Sequence, residues 1–361
     1  MSLDSIVNVT ITSQSLHMSQ AGFGTPLIIA PHDYWQDRVK SFGDLSELTT
    51  TSPKPSETVP ADPKKKPQPQ LIPRDSVLYL TALALVSQTP RVPKFKVGLR
   101  EAGESIADAL DQILLDDKDG DFYGILLAAD YGENHAKYIE DAQSLVSALK
   151  DKRLLAGVDV TQKQLAEFPQ NGMTSGRLFY IYKEDGRDFP AAAWMGKMLP
   201  EPPGSTTWAF KELADITKSK LNTNTIDKLK KLNINCHIYI NNKGVTLDGK
   251  VSANEYIDIV HGIDWLHVRI QERIFRLLML NGKIPYTLKG VDLIRSELLA
   301  QLKDAVRRGL LAAEPEPTVS IPDIDSIPPD KKESRLLPDV KFSARLAGAI
   351  HAVEIRGTVT Q

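Results

Sequence analysis

The run Gly244-Val-Thr-Leu-Asp-Gly-Lys250 is spaced like a phosphate-binding loop, with two glycines, a lysine and an apolar strand before it. In such a loop, backbone amides cradle the phosphates, the lysine reaches them, and a following hydroxyl holds the metal ion. Here Val251 occupies the hydroxyl position and Ser252 comes one place late. Gly244 also belongs to an Asn-Lys-Gly turn, and Val245–Leu247 reads as a return strand. Two readings follow: a nucleotide-binding α/β enzyme using this degenerate loop, or a solvated β-turn. Asp116-Asp-Lys-Asp-Gly-Asp121 invites comparison with a calcium loop. With Gly120 as the sixth position, Leu115 and Leu126 fall where carboxylates are required, so an acidic helix-to-strand turn is expected instead.

The seven histidines are scattered. His261 and Asp264 lie three apart on an expected helix, as do Asp264 and His267, without a second histidine at chelating spacing. Surface polar positions account for them. The single cysteine, Cys236, excludes an internal disulfide and a cysteine-cluster zinc site, and it reads as a buried structural thiol. Neither a Gly-x-Ser-x-Gly elbow nor a His-Glu-x-x-His motif occurs. Lys64-Lys-Lys66 is too short for a nucleic-acid patch, and 44 basic against 46 acidic residues argue against a polyanion binder. No catalytic, cofactor-binding or metal residue is therefore assigned, and no cofactor is expected.

The elements around these residues follow from hydrophobic period. A chain of 361 residues, 42% hydrophobic, can bury a sizeable core. It has no apolar window long enough for a membrane span, and its start lacks the basic and apolar regions of a secretion leader, so a protein of a reducing compartment is expected. Val7, Val9 and Ile11 alternate with polar residues, predicting a half-buried strand, and Pro26–Ala30 is a second apolar run. Residues 49–73 are proline-dense and predict an extended loop. From Asp75, helices over Ser76–Gln88, Glu104–Leu115 and Asn134–Lys150 alternate with strands at Phe95–Leu99, Tyr123–Ala129, Leu154–Val160 and Leu178–Tyr182. That alternation predicts crossover units and a largely parallel or mixed sheet. A helix near Ile226–Leu232, a strand at Cys236–Ile240, and two long helices follow, the first over about Ala253–Leu280 and the second capped by Thr287 and closed by Gly309. Residues 314–338 read as extended surface chain, and Val353, Ile355 and Val359 alternate with polar neighbours as a terminal strand. Two strand-like ends suggest β-augmentation between copies as an alternative to edging their own sheet.

Several ordered pieces resemble the contractile tail sheath proteins of bacteriophages. Ser76–Gln88, Thr89-Pro90 and the strand Phe95–Gly98 are similar to the opening of that family's middle domain, and Asp121-Phe-Tyr-Gly-Ile-Leu-Leu-Ala128 to its central strand. Phe189-Pro-Ala-Ala-Ala-Trp-Met-Gly196 and Pro202-Pro-Gly-Ser-Thr-Thr-Trp208 resemble the return into the conserved part. Most specific are Glu255-Tyr-Ile-Asp-Ile-Val-His-Gly-Ile-Asp-Trp-Leu266, Lys283-Ile-Pro-Tyr-Thr287 and Gly290-Val291.

The resemblance implies an α/β fold, α+β overall. A strand arm at 1–20 would lead into part of the core and the proline-rich loop at 21–75. A mixed-sheet α/β middle domain at 76–200, a conserved sheath core domain at 201–345 and a C-terminal strand arm at 346–361 would follow. It implies a non-enzymatic virion component, assembled in the host cytoplasm, that polymerises round a tail tube and contracts for genome delivery. Its partners would be other copies of itself, the tail tube protein, and baseplate and tail terminator proteins, with no direct nucleic-acid contact and no membrane insertion. Val7, Val9, Ile11, Val353, Ile355 and Val359 are the positions matching the exchanged arm strands. The proline-rich insertion at 49–73 departs from the family pattern.

Overall fold

The computed structural model describes residues 22–35, 37–49, 72–132, 134–169, 173–184 and 186–357. The strand expected at Val7–Ile11, most of the proline-rich loop and Val359 lie outside the described residues. The chain starts with strands β1 (Pro26–Pro31) and β2 (Val39–Phe42) and helices α1 (Leu45–Thr49) and α2 (Val77–Val86). Crossover units follow: β3 (Phe95–Arg100), α3 (Ile106–Asp116), β4 (Gly124–Leu127), α4 (His135–Ala148), β5 (Leu155–Val160), α5 (Gln162–Ala166) and β6 (Leu178–Tyr182). Then come α6 (Pro190–Met198), α7 (Thr223–Lys231), the hairpin β7 (Ile234–Ile240) and β8 (Lys243–Thr246), and the long helices α8 (Ile257–Leu280) and α9 (Leu288–Arg307). The described chain ends with β9 (Thr318–Ser320), α10 (Pro329–Glu333) and β10 (Lys341–Ser343).

β1 to β8 form one eight-stranded mixed sheet in the order β2-β3-β1-β4-β5-β6-β7-β8. The six inner strands are parallel, and β2 and β8 are antiparallel edges. The sheet runs across both positions, 75/76 and 200/201, at which the sequence suggested divisions. Side chains alternate between its two faces, as pleating requires. Leu27 and Ile29 of β1 meet Leu110, Ile113, Tyr138 and Leu145 of α3 and α4. Ile28 and Ala30 point to the opposite core, which α2, α6, α8 and α9 cover. With both faces covered, inner strands such as Leu178–Tyr182 are buried throughout.

Helix starts follow the expected capping chemistry. Ser76, Ser105, Asn134 and Thr287 each accept a hydrogen bond from the backbone N–H three residues on. Two expectations are corrected, and two further segments take forms that the sequence pattern left open. α8 starts at Ile257 rather than Ala253, because Asn254 takes a left-handed φ of 71° and Val251 N donates to Glu255 O in a tight hairpin. The Phe189–Gly196 run is mostly helix α6, started by Pro190 and capped from β5, where Asp159 Oδ1 accepts from Ala191 N at 2.8 Å. Residues 314–338 are not extended throughout: β9, a 3-10 turn at Ile324–Ser326 and α10 interrupt them. The described end of the chain, to Gly357, forms no strand beyond β10.

Gly196 lets α6 lie against α2: a Cβ there would stand 2.0 Å from Leu85 O, a backbone atom that cannot yield cheaply. Gly196→Ala should therefore destabilise the fold by roughly 1–3 kcal/mol, the usual penalty of overpacking, read as a lowered denaturation midpoint with an unchanged slope.

Candidate assembly surface

The stretch resembling a phosphate loop is a β-hairpin return. Its backbone amides are already committed: Thr246 N donates to Lys211 O, Leu247 N to Cys236 O, Gly249 N to Leu247 O and Lys250 N to Asn235 Oδ1. Lys250 Nζ donates to Asn254 Oδ1 at 2.8 Å and lies 5.2 Å from the Tyr256 ring. The amides do not converge on a common point, as an anion cradle requires. Cys236 on β7 is buried, and burial pushes its thiol up to about 12, as an inert structural thiol should be.

The acidic turn gathers Asp117, Asp119 and Asp121, whose oxygens lie within 4.8 Å of one another. A lysine already supplies the cation. Lys96 Nζ, with no exposed side-chain surface, lies 2.6 and 2.7 Å from the Asp117 oxygens and 2.5 Å from Asp121 Oδ1. Lys94 pairs with Asp121 from the other side.

His261, Asp264 and His267, expected at the surface, are all buried. The correction has a physical reason. Tyr123, Arg153 and Arg177 stand just before the adjacent parallel strands β4, β5 and β6, and all three reach the Asp264 carboxylate. Tyr123 Oη donates to Oδ2 at 2.9 Å, Arg153 Nη1 to Oδ1 at 3.4 Å, and Arg177 to Oδ2. Burial, then the Asp264 charge, raises the Tyr123 hydroxyl well above its ordinary range, so it stays a donor. One helical turn earlier, His261 stacks on Tyr123 with ring centroids 4.7 Å apart, and burial drives its pKa down to about 3. α8 is thus clamped to the amino ends of three neighbouring strands.

The surface around this rigid body leaves backbone edges open. β8 is covered, since Phe210 N donates to Thr246 O and Thr246 N to Lys211 O. β9 and β10 pair only with each other among the described residues, in register Phe342↔Val319, and both present an outer edge. Val319 and Phe342 pack on the main core, fixing the ribbon beside α9. Beyond β10 the chain bridges Leu311 at Leu346 and then turns outward. Ile350, Val353 and Ile355 are 84%, 74% and 85% exposed. Of the expected arm residues, Val353 and Ile355 are therefore unpacked within their own subunit, whereas Val7, Val9, Ile11 and Val359 lie outside the described residues. The sequence pattern missed the β9–β10 ribbon because three-residue strands show too few alternations to register. A further apolar group is exposed at the α8–α9 turn, at Met279, Leu280 and Leu288.

Residues 257–315 match a family model described as "E217 tail sheath protein gp31-like, C-terminal domain". A search of curated proteins finds no match. Among solved structures, a chain of the anti-feeding prophage baseplate superposes with a TM-score of 0.66 at 14% identity, covering 98% of each chain. A chain of the contracted PVC sheath complex, an extracellular contractile injection system, gives 0.63 at 13% identity over 98% of this chain and 96% of that one. The sheath tail protein of Desulfitobacterium hafniense gives 0.52 at 8% identity, over 87% and 93%.

Removing the clamp should be severe. Asp264→Ala removes the carboxylate shared by buried Arg153 and half-buried Arg177 and should cost about 3 kcal/mol, against about 1 kcal/mol for Tyr123→Phe; chemical denaturation measures both. His261 adds a pH dependence. Its folded pKa lies below the ordinary 6.5, so the unfolded chain binds the proton first. Stability should fall as pH drops from about 6.5 towards about 3, by up to ~1.4 kcal/mol per pH unit. His261→Gln should lose that component; parallel curves for the two proteins would exclude the histidine as its source. In fold, this chain is similar to the sheath chains of contractile injection systems, and its long helical hairpin lies within the stretch that matches the C-terminal domain of a tail sheath family.

Proposed function

We propose that this protein is the structural subunit of a phage contractile tail sheath. It polymerises around a tail tube and contracts to drive genome delivery, without catalytic chemistry of its own. The observation that carries this reading is the sheath fold, matched over 98% of the chain. The open ribbon β9–β10 and the exposed apolar residues that follow it support a mode of linkage. The arm around Val353, Ile355 and Val359, and the N-terminal segment around Val7, Val9 and Ile11, would each add a strand to the β9–β10 edge of a neighbouring copy. Each ladder hydrogen bond contributes about 0.5–1.5 kcal/mol net, and burying the apolar face adds more at roughly 25 cal/mol per Å². A strand donated to a different patch is a heterologous contact, which propagates into rings or filaments instead of closing as a dimer.

Contraction is then a rigid-body rearrangement between two helical lattices in which the strands stay paired. Tube, baseplate and tail terminator proteins are the other partners, and the site of action is the virion tail. The solved structures sharing this fold come from an anti-feeding prophage, an extracellular contractile injection system and a bacterial sheath tail protein.

The test is assembly of truncated chains. Deleting residues 1–15 or 352–361 should leave a folded monomer and abolish tubular polymers under negative-stain microscopy, where the intact chain forms hollow cylinders. Normal cylinders from either truncated protein would refute arm exchange. An intact chain that never forms rings or cylinders, with or without tube protein, would refute the sheath role itself.

A further inference from the structure

The C-terminal segment does not simply trail away from β10. Beyond that strand, Ala312 N donates to Arg345 O at 2.7 Å and Ala347 N to Leu310 O at 2.9 Å, across a bridge between Leu311 and Leu346. Gly348 then turns the chain with a φ of +69°, a conformation that glycine adopts without strain. Past this turn a single side chain returns to the body. His351 Nε2 lies 2.8 Å from Thr207 Oγ1. Thr207 Oγ1 also accepts from Ala209 N at 3.3 Å, which leaves its own proton to donate to the imidazole. The ring stands edge-on to Tyr256 and Phe210, with centroids 5.0 and 5.6 Å away. On either side, Ile350 and Val353 are exposed.

We propose that His351 is a latch that sets where the exchanged arm leaves its own subunit. The socket comes from two separate parts of the chain: Thr207 and Phe210 from the connection between α6 and α7, and Tyr256 from the residue that starts α8. The residues up to His351 form a stem fixed to the body, and the free strand starts at Ala352. At about 3.3–3.6 Å per extended residue, Ala352–Gln361 reaches at most roughly 35 Å, and releasing the stem back to Gly348 would add about 13 Å. Tension in the arm would enter the body through Thr207, Phe210 and Tyr256, the last at the start of the helix whose Asp264 holds the sheet. The latch thus fixes tether length and the point where force is applied, which the β9–β10 ribbon alone would not do. Its mechanical role rests on the proposed arm exchange, but the docking itself does not.

Trypsin sites in the segment allow a test on the unassembled full-length chain. Arg345 lies in the stem, with its carbonyl hydrogen-bonded, and Arg356 lies in the free strand. In the native protein, cleavage after Arg356 should be fast and cleavage after Arg345 slow, as resolved by mass spectrometry. His351→Ala should accelerate cleavage after Arg345 at least tenfold and leave the rate after Arg356 unchanged. Thr207→Val should give a smaller increase in the same direction. An unchanged Arg345 rate in His351→Ala would overturn the latch. So would equally accelerated cleavage at Arg269 and Arg276 of α8, which would mark His351 as a residue of the fold. Because the assay needs no polymer, a failed latch and a failed sheath reading are distinguishable. If the latch holds, cylinders of His351→Ala should also differ from native ones in rise or twist.

Discussion

One buried carboxylate carries the mechanical unity of this molecule. Asp264 lies on α8, and its three partners lie at the entrances to three neighbouring strands of one sheet. A buried ion pair is poor evidence for net stability, because desolvation offsets most of the Coulombic gain. Its value here is geometric. Each partner comes from a different strand entrance, so tilting α8 against the sheet would strand at least one charge in the interior. The apolar contacts of Trp265, Leu266 and Val268 could slide by small amounts; the ion pairs permit far less. The helical hairpin and the sheet are therefore tied into one body, as the proposed rigid-body lattice change would require of a subunit.

The other interior charges follow the same pattern at both ends of the sheet. Lys96 neutralises Asp117 and Asp121 beside the turn into β4. At the opposite end, Arg100 makes a bidentate pair with Asp141 of α4 at 2.7 and 2.8 Å. Asp159 caps α6, and burial raises its carboxyl to about 6. In α/β enzymes the carboxyl ends of parallel strands usually carry open polar groups that meet a ligand. Here Arg100 and Asp159 at that end are engaged in holding α4 and α6.

Sequence patterning made the sheet and its helices legible. Alternation of 3.6-period and apolar segments between Ser76 and Tyr182 predicted helices and strands that recur in the structure within a few residues. The capping side chain of Thr287 marked one helix start to the residue. What stayed hidden depended on long-range contacts. Asp264 looked like a surface residue because polarity in sequence carries no information about partners 87 to 141 positions away. α6 was obscured because Pro-Ala-Ala-Ala-Trp-Met is apolar on every side, as a helix buried between a sheet and its neighbours must be. The candidate assembly surface was only half legible. Alternation pointed to Val353 and Ile355, but the β9–β10 ribbon has too few residues for a period, and the His351 socket is assembled from distant loops.

An arm with exposed apolar residues beside an open ribbon is an aggregation hazard unless something limits its pairing. Two features of this chain impose such limits. β9 and β10 are three residues each, so neither edge offers a long template. Their outward side chains, such as Thr318, Ser320, Lys341 and Ser343, are polar and give no apolar purchase to a strand out of register. The Gly348 turn and the His351 contact also direct the chain towards Thr207 after β10. Under the proposed exchange, each single strand addition would be weak, and only a neighbour that also places its body correctly would gain the full set of contacts. Weak, directional links on a stiff body favour ordered growth over indiscriminate clumping, since effective concentration rises only when geometry lets both ends engage together. Under the proposed arm exchange, a lattice could change shape without breaking its links, because the bending would occur in the chain between stem and strand, where no packed interface resists it.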